Sequence, residues 1–137
     1  MNLWRLDCGA QTILVGGDEY LAEVFYWGAL LPESENLKSI WNITRLDYSG
    51  GVLDGVPAQS ICPEVSKTFN GHPGMRIRGA SGKRLYPNFR LTNAKLSKTS
   101  LLLEYEDPEI GLTYKANFRA PKETSLLELS ASLTANP

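Results

Sequence analysis

The feature of this sequence that most constrains its fold is the alternation of apolar and polar residues with a period of two. The alternation is clearest between 112 and 119, where every second residue is apolar: Leu112, Tyr114, Ala116 and Phe118. Successive side chains of a strand point to opposite faces, so this pattern predicts a strand with one buried face. Related runs occur at 3–8, 11–15, 21–27, 89–96, 101–106 and 127–133. The sequence therefore predicts a mainly β fold, a sandwich or barrel of short strands.

Two segments depart from simple alternation. The first has apolar residues at helical spacing and predicts one short helix near residues 35–45, which Ser34 or Asn36 can cap at its N-terminus. The second, 21–27, is largely apolar on both faces, and we expect it to be a strand covered on both sides. Glycines at 79, 82 and 111 predict tight turns after 78 and 107.

Length and charge exclude several classes of protein. With 137 residues the chain amounts to one domain or to part of a larger one, and it is too short for a complete (β/α)₈ barrel, which takes about 250 residues. Its 14 basic and 15 acidic residues leave a net charge of −1, so neither nucleic acid nor a membrane surface is expected as a partner. Arg5 and Asp7 interrupt any signal-like N-terminus, and the expected location is cytoplasmic.

Few residues suggest chemistry by their type alone. Cys8 and Cys62 form no CxxC motif, and we expect two small buried thiols in a reducing compartment. His72 is the only histidine and lies in a glycine-rich loop, so no metal site and no cofactor are predicted. Five aromatic residues are able to stack on sugars, although their spacing favours the core: Trp4, Tyr26, Trp27, Trp41 and Tyr48.

The loop from 47 to 57 is the most informative stretch. It brings together three glycines, a serine and two carboxylates. Glycine lets the backbone approach a ligand closely, and binding residues often lie on loops held by a rigid scaffold. Residue types alone leave open whether this loop binds a ligand or only connects a helix to a strand.

The C-terminal residues 133–137 leave the last strand without a closing element. An open sheet edge invites pairing with another strand. We therefore expect the chain to be a fragment, or the first part of a longer polypeptide.

Five short segments, in this order, resemble the N-terminal domain of the glycoside hydrolase family 36 α-galactosidases. They are Trp4-Arg5-Leu6-Asp7-Cys8-Gly9, Val24-Phe25-Tyr26-Trp27-Gly28, Ser49-Gly50-Gly51-Val52-Leu53-Asp54, Ile61-Cys62-Pro63-Glu64 and Gly111-Leu112-Thr113-Tyr114. The resemblance implies that 1–137 is the N-terminal part of a β-supersandwich of the galactose-mutarotase-like type. It also implies that the family's domain continues past Pro137, followed by a catalytic (β/α)₈ barrel that is absent from this chain and by a small C-terminal β-domain.

The activity implied by the resemblance is retaining hydrolysis of terminal α-galactosides of the melibiose and raffinose type. Such hydrolysis needs two carboxylates about 5–5.5 Å apart. The family carries both as aspartates on the barrel, so no catalytic residue is assigned to this chain. Its implied partners are the α-galactoside, its own barrel domain and further copies, in a tetramer.

A substrate-binding role in trans is also implied. In bacterial relatives a loop of the N-terminal domain approaches a neighbour's active site, and the matching stretch here is 49–54. We expect Asp54 to accept hydrogen bonds from sugar hydroxyls, with Gly50 and Gly51 allowing the close approach. Val52 and Gly55 depart from the bulkier or charged residues of relatives. The alternatives are a stand-alone carbohydrate-binding β-sandwich module without catalysis, and a β-sandwich that makes protein contacts only.

Overall fold

The computed structural model describes residues 1–44, 60–62, 72–122 and 124–136. In that part of the chain nine strands and one helix follow in the order β1 (Asn2–Cys8), β2 (Gln11–Gly17), β3 (Glu23–Ala29), α1 (Leu37–Thr44), β4 (Ile77–Arg78), β5 (Arg84–Leu85), β6 (Arg90–Leu96), β7 (Ser100–Asp107), β8 (Leu112–Arg119) and β9 (Glu128–Ala135). The strands form three antiparallel sheets, ordered β1-β2-β3, β4-β5 and β6-β7-β8-β9. Within each sheet, strands that are consecutive in the sequence lie side by side, so the sheets are built from hairpin connections.

The core lies between the three-stranded and the four-stranded sheet. Alternate residues of β7 and β8 are buried, as the period-two pattern predicts. Apolar side chains from both sheets form one cluster, which includes Leu6, Cys8, Ile13, Val15, Leu101, Leu103, Tyr105, Leu112, Tyr114, Ala116 and Phe118. Burying these residues stabilises the fold by roughly 1.5–3 kcal/mol for each large side chain. The prediction of a mainly β sandwich is confirmed.

The central strand of the three-stranded sheet is β2. Six consecutive residues of β2 are buried, because it is the middle strand of its sheet. One face of β2 packs against the core, and on the other face the Trp41 ring of α1 lies next to Gly16. β3 is instead an edge strand, and Trp27 near its end is 55% exposed. The cover expected on both sides of 21–27 is found at Val24, which packs against the core, and at Phe25, which contacts Trp41 of α1, but it does not extend to Trp27.

Helix α1 covers the outer face of the three-stranded sheet. Asn36 caps it, since its Oδ1 accepts hydrogen bonds from the amides of Lys38 (3.0 Å) and Ser39 (3.2 Å). Trp41 is buried and meets Phe25 edge to face, with 5.1 Å between ring centroids. A helix near 35–45 is thus confirmed, with observed bounds of Leu37–Thr44.

The turn before β8 is built on a buried carboxylate and a glycine. Asp107 Oδ1 accepts hydrogen bonds from the amides of Glu109 (3.0 Å) and Ile110 (3.4 Å), and its Oδ2 accepts one from Asn88 (2.6 Å). Gly111 has a φ of +63°, which glycine adopts without steric cost. This network fixes where β7 ends and β8 begins. Among the helices that the structure describes, none is long and apolar enough to cross a membrane.

Candidate functional site

The loop that the sequence singled out lies outside the described residues. Asp54, Gly50 and Gly51 all belong to the stretch 45–59, and Tyr48 does too. Their substrate-binding role therefore stays a prediction. The neighbouring sheets and helix are described, and they supply the scaffold on which any site of this domain must be positioned.

Two aspartates in the described part of the chain are engaged in structural contacts. Asp7 binds the Arg5 guanidinium at 3.0 Å and accepts a hydrogen bond from the Thr12 hydroxyl at 2.7 Å. Arg5 also donates to the carbonyl of Pro32, which ties the chain after β3 back to β1. Asp107 serves three backbone amides of a turn, as described above. The carboxylate oxygens of Asp7 and Asp107 therefore accept hydrogen bonds within the protein, and these bonds stabilise the fold.

The outer face of the four-stranded sheet carries a polar row. Glu104 on β7 accepts hydrogen bonds from Lys115 Nζ on β8 and from Asn93 Nδ2 on β6, both at 2.6 Å. These hydrogen bonds, Lys115 first, hold the pKa of the Glu104 carboxyl below its usual range. A charge paired across the middle of a sheet favours the observed register, because a slip of one residue would put Tyr114 or Ala116 opposite Glu104 in place of Lys115.

The core contains one titratable group with a strongly shifted pKa. Burial raises the pKa of Tyr105 to about 12, because the ionised phenolate is poorly solvated between the sheets. Its Oη accepts a hydrogen bond from the Ala22 amide at 3.1 Å, which ties the segment before β3 to the four-stranded sheet. Its ring stacks on that of Tyr114 with 5.6 Å between centroids. This tyrosine is structural.

An open cleft of about 350 Å³ lies at one end of the sandwich. We call it the end cleft, and it is lined by Asp7, Cys8, Gly9, Thr99, Ala120, Pro121, Lys122, Thr124 and Ser125. Its lining offers the ammonium of Lys122 and several hydroxyls, which are able to hydrogen-bond a polar ligand. The sequence did not indicate this cleft, because its residues come from three separate stretches of the chain.

Two side chains of the β1–β2 hairpin fix the segment that leads into β9. The Cys8 thiol donates to the carbonyls of Thr124 (3.4 Å) and Leu126 (3.0 Å), and Gln11 Nε2 donates to the carbonyl of Ser125 at 2.7 Å. Three consecutive carbonyls are therefore held from one hairpin. The start of β9 is positioned by these bonds as well as by its pairing with β8.

One tryptophan is presented at the surface. Trp27 donates its indole Nε1 to Gln11 Oε1 at 3.0 Å, which fixes a ring that remains more than half exposed. Trp41 is buried, and Trp4 packs against the core, as their spacing predicted. The Tyr26 ring is half-buried, and its hydroxyl donates to the carbonyl of Ala29 at 2.7 Å.

The two cysteines and the histidine belong to no disulfide and to no cluster of metal ligands in the part of the chain that the structure describes. Cys8 is buried and Cys62 half-buried, and both are free thiols. His72 is exposed. No group of three or more His, Cys, Asp or Glu side chains among the described residues is close enough to hold a metal ion.

The fold and these sites define the described part of the chain as an antiparallel β-sandwich with an end cleft. In fold it is similar to part of the glycoside hydrolase family 36 α-galactosidase AgaA of Geobacillus stearothermophilus, solved as a double variant with raffinose. The TM-score is 0.73 at 14% identity, over 98% of this chain and 22% of that one. AgaB of the same organism gives 0.69 at 11%, again over 98% and 22%. Another AgaA variant, with stachyose, gives 0.69 at 13%, over 96% and 22%.

The chain therefore spans about a fifth of the length of the solved chains that it matches. No family model and no curated protein matches it by sequence. The resemblance stated from the five segments is confirmed for the fold.

Proposed function

We propose that the chain is the N-terminal, non-catalytic part of a β-sandwich domain of a retaining α-galactosidase, which acts on terminal α-galactosides of the melibiose and raffinose type. The observation that carries the proposal is the fold likeness, which extends over 98% of this chain with a TM-score of 0.73. The matched chains are α-galactosidases, two of them crystallised with an oligosaccharide. In this proposal the catalytic (β/α)₈ barrel belongs to the same protein and lies outside these 137 residues.

The contacts of three described carboxylates favour a structural rather than a catalytic role for those groups. Retaining hydrolysis needs a nucleophile and an acid/base group about 5–5.5 Å apart and free to reach the glycosidic bond. Asp7, Glu104 and Asp107 are instead engaged with a guanidinium, an ammonium and backbone amides. The domain then contributes rigidity, assembly and loop placement, while the barrel supplies the bond-breaking groups.

The proposal includes a binding role for the loop 49–54 in a homo-oligomer, a tetramer by resemblance, in the cytoplasm. Asp54 accepts hydrogen bonds from galactosyl hydroxyls at a neighbouring subunit's active site, and Gly50 and Gly51 keep the backbone free of side chains there. A carboxylate is suited to this task because charge-assisted hydrogen bonds are roughly twice as strong as neutral ones.

The test uses the complete protein that contains this chain. Asp54→Ala is expected to lower kcat/KM for p-nitrophenyl α-galactoside about 10- to 100-fold, the loss of one hydrogen bond to a charged group. Glu35→Ala is the matched control, because Glu35 is an exposed carboxylate before α1. Equal kinetics for both variants would contradict the role of Asp54. Turnover by residues 1–137 alone, or no turnover by the complete protein, would contradict the proposed function itself.

A second candidate function is a stand-alone carbohydrate-binding module, which the exposed and fixed ring of Trp27 favours. Aromatic faces stack on sugars, and a ring held by a hydrogen bond loses little freedom on binding. Titration of the 137-residue chain with galactose and raffinose, followed by tryptophan fluorescence, tests this reading. Binding that is lost in Trp27→Ala and kept in Tyr86→Ala, an equally exposed aromatic, would establish the module, and absence of binding would exclude it.

A further inference from the structure

Charge is unevenly distributed along the chain. Residues 65–103 include eight of its 14 basic residues and none of its 15 acidic residues. Blocks of like charge in a sequence are typical of interaction surfaces. Half of the eight lie close together around the hairpin of β4 and β5, and they are Arg76, Arg78, Lys83 and Arg84. We call residues 76–86 the basic hairpin.

The basic hairpin has one apolar side and one charged side. Ile77 packs against the core, as Met75 does just before it, and Leu85, which pairs with Ile77, is half-buried. Successive side chains of a strand lie on opposite faces, so the residues between them point outward. The outward residues are Arg76, Arg78, Arg84 and Tyr86, and all of them are exposed. The apolar side is therefore already covered, and the exposed side is a charged surface rather than part of an unfinished core.

The charges of this surface are not balanced within the described part of the chain. Arg78 and Arg84 lie directly opposite each other across the hairpin, a position in which like charges destabilise the pairing. The ion pairs between described residues include neither these two arginines nor Arg76 and Lys83. Arg78 donates one hydrogen bond to the carbonyl of Gly82 at 3.2 Å, which is a neutral acceptor. Carboxylates placed against this side would therefore relieve the repulsion.

The residue types favour a protein surface as the source of these carboxylates. The planar guanidinium group matches a carboxylate in two parallel hydrogen bonds. Arginine and tyrosine are also enriched at interfaces between proteins. The net charge of the chain is −1, which gives no long-range attraction for a nucleic acid.

The weakness of exposed ion pairs favours a surface of the same polypeptide over a separate partner. Such pairs contribute little individually, because they are solvated and screened by salt. A few of them are too weak to hold a separate partner at low concentration. Between parts of one polypeptide they suffice, since the effective concentration there is on the order of millimolar. This chain covers 22% of the solved chains that it matches, so a protein of that length offers much further surface.

We propose that the basic hairpin docks on a carboxylate-bearing surface of the same polypeptide, beyond residue 137. In the complete protein Arg76, Arg78 and Arg84 pair with aspartate or glutamate side chains of that surface, and Tyr86 packs beside them. This inference rests on the proposed function, in which further domains follow these residues. It is able to fail alone, because its test uses neither sugar nor turnover.

The first measurement is zero-length cross-linking of the complete protein with a water-soluble carbodiimide, followed by mass spectrometry of its peptides. The reagent joins an amine to a carboxylate only where the two are already in contact. Lys83 is expected to be joined to an aspartate or glutamate beyond residue 137. Arg84→Lys keeps the charge, adds an amine on the charged side and should give a second link to the same surface.

Two controls belong to the same sample. Lys115 Nζ and Glu104 Oε1 are 2.6 Å apart, so their link shows that the reagent has reacted with paired groups. A mixture of unlabelled and heavy-isotope-labelled protein distinguishes links within one copy from links between two copies.

Arg78→Glu tests the role of charge. It turns the cross-strand pair with Arg84 into one of opposite charges, so the hairpin itself is not weakened. The yield of the Lys83 link is nonetheless expected to fall several-fold, because the docking side loses a positive charge and gains a negative one. Lys98→Glu is the matched control and should keep the yield of the wild type, because Lys98 is exposed and lies after the far end of β6.

Four results would overturn the proposal. The first is a Lys83 link only to residues within 1–137, or only between two copies. The second is no Lys83 link while Lys115 and Glu104 are joined, and the third is an equal yield in Arg78→Glu and Lys98→Glu. The fourth is retention of the complete protein on heparin that Arg78→Glu abolishes and Lys98→Glu does not, because the surface would then be free to bind a polyanion. If turnover of p-nitrophenyl α-galactoside is found together with any of these results, the proposed function stands and only the docking is refuted.

Discussion

Replacement of Asp107 by alanine is expected to cause a large loss of stability. The side chain is 3% exposed and accepts two close hydrogen bonds from backbone amides, at 2.6 Å from Asn88 and 3.0 Å from Glu109. Hydrogen bonds to a charged group contribute about 1.5–3 kcal/mol each, so Asp107→Ala should lower the free energy of unfolding by about 3–5 kcal/mol. That is a large part of the roughly 5–15 kcal/mol typical of a domain.

The assay is equilibrium unfolding in urea, followed by circular dichroism and tryptophan fluorescence. With a slope of about 2 kcal/mol per molar urea, the midpoint of Asp107→Ala should fall by about 2 M. Asp107→Asn keeps one acceptor oxygen and should fall by about half as much. The neighbouring Glu106→Ala removes an exposed carboxylate and should change the midpoint little. Equal midpoints for Asp107→Ala and Glu106→Ala would refute the reasoning.

Three further predictions concern single contacts. The pKa of Tyr105 is about 12 in the folded chain and about 10 in the unfolded one, so its contribution to the free energy of unfolding is full below pH 10 and is lost between pH 10 and 12. Tyr105→Phe should remove this loss, as measured by urea unfolding at each pH. The same variant should lower the free energy of unfolding at pH 7 by about 1–3 kcal/mol, since the Ala22 amide is left without its acceptor. Asn36→Ala should cost about 1 kcal/mol through loss of the α1 cap, measured by thermal unfolding, and Asn36→Ser should restore most of it. Because the pKa of Glu104 is lowered in the folded chain, its ionised form contributes stability that is present above about pH 4.5 and is lost as the pH falls. In Lys115→Met the free energy of unfolding should fall less steeply with pH below that value, and an unchanged dependence on pH would contradict the pairing.

The prediction from sequence succeeded where the information is local. The alternation at 112–119 specified a strand and its buried face, because that face follows from backbone geometry once the segment is extended. The spacing around Trp41 and the amide-capping side chain of Asn36 specified α1 for the same reason. Gly111 marked a turn because few other residues adopt its φ.

It did not succeed where the outcome depends on which elements become neighbours. The segment 21–27 was expected to be covered on both sides, but the cover does not extend to Trp27 at the end of the segment, which is 55% exposed on the edge strand β3. The end cleft joins residues around 8, 99 and 122 that nothing in the sequence connects. The site predicted at Asp54 rests on the resemblance and lies outside the described residues.

The sequence by itself determined which segments are strands, where they turn and which face of each is apolar, since these depend on side-chain period and on the steric limits of glycine and proline. Only the tertiary structure decided that β2 is the central strand and that Asp107 is a buried acceptor. The physical reason is that strand order and edge exposure depend on which distant segments pair. The apolar–polar period of one strand does not show which segments those are.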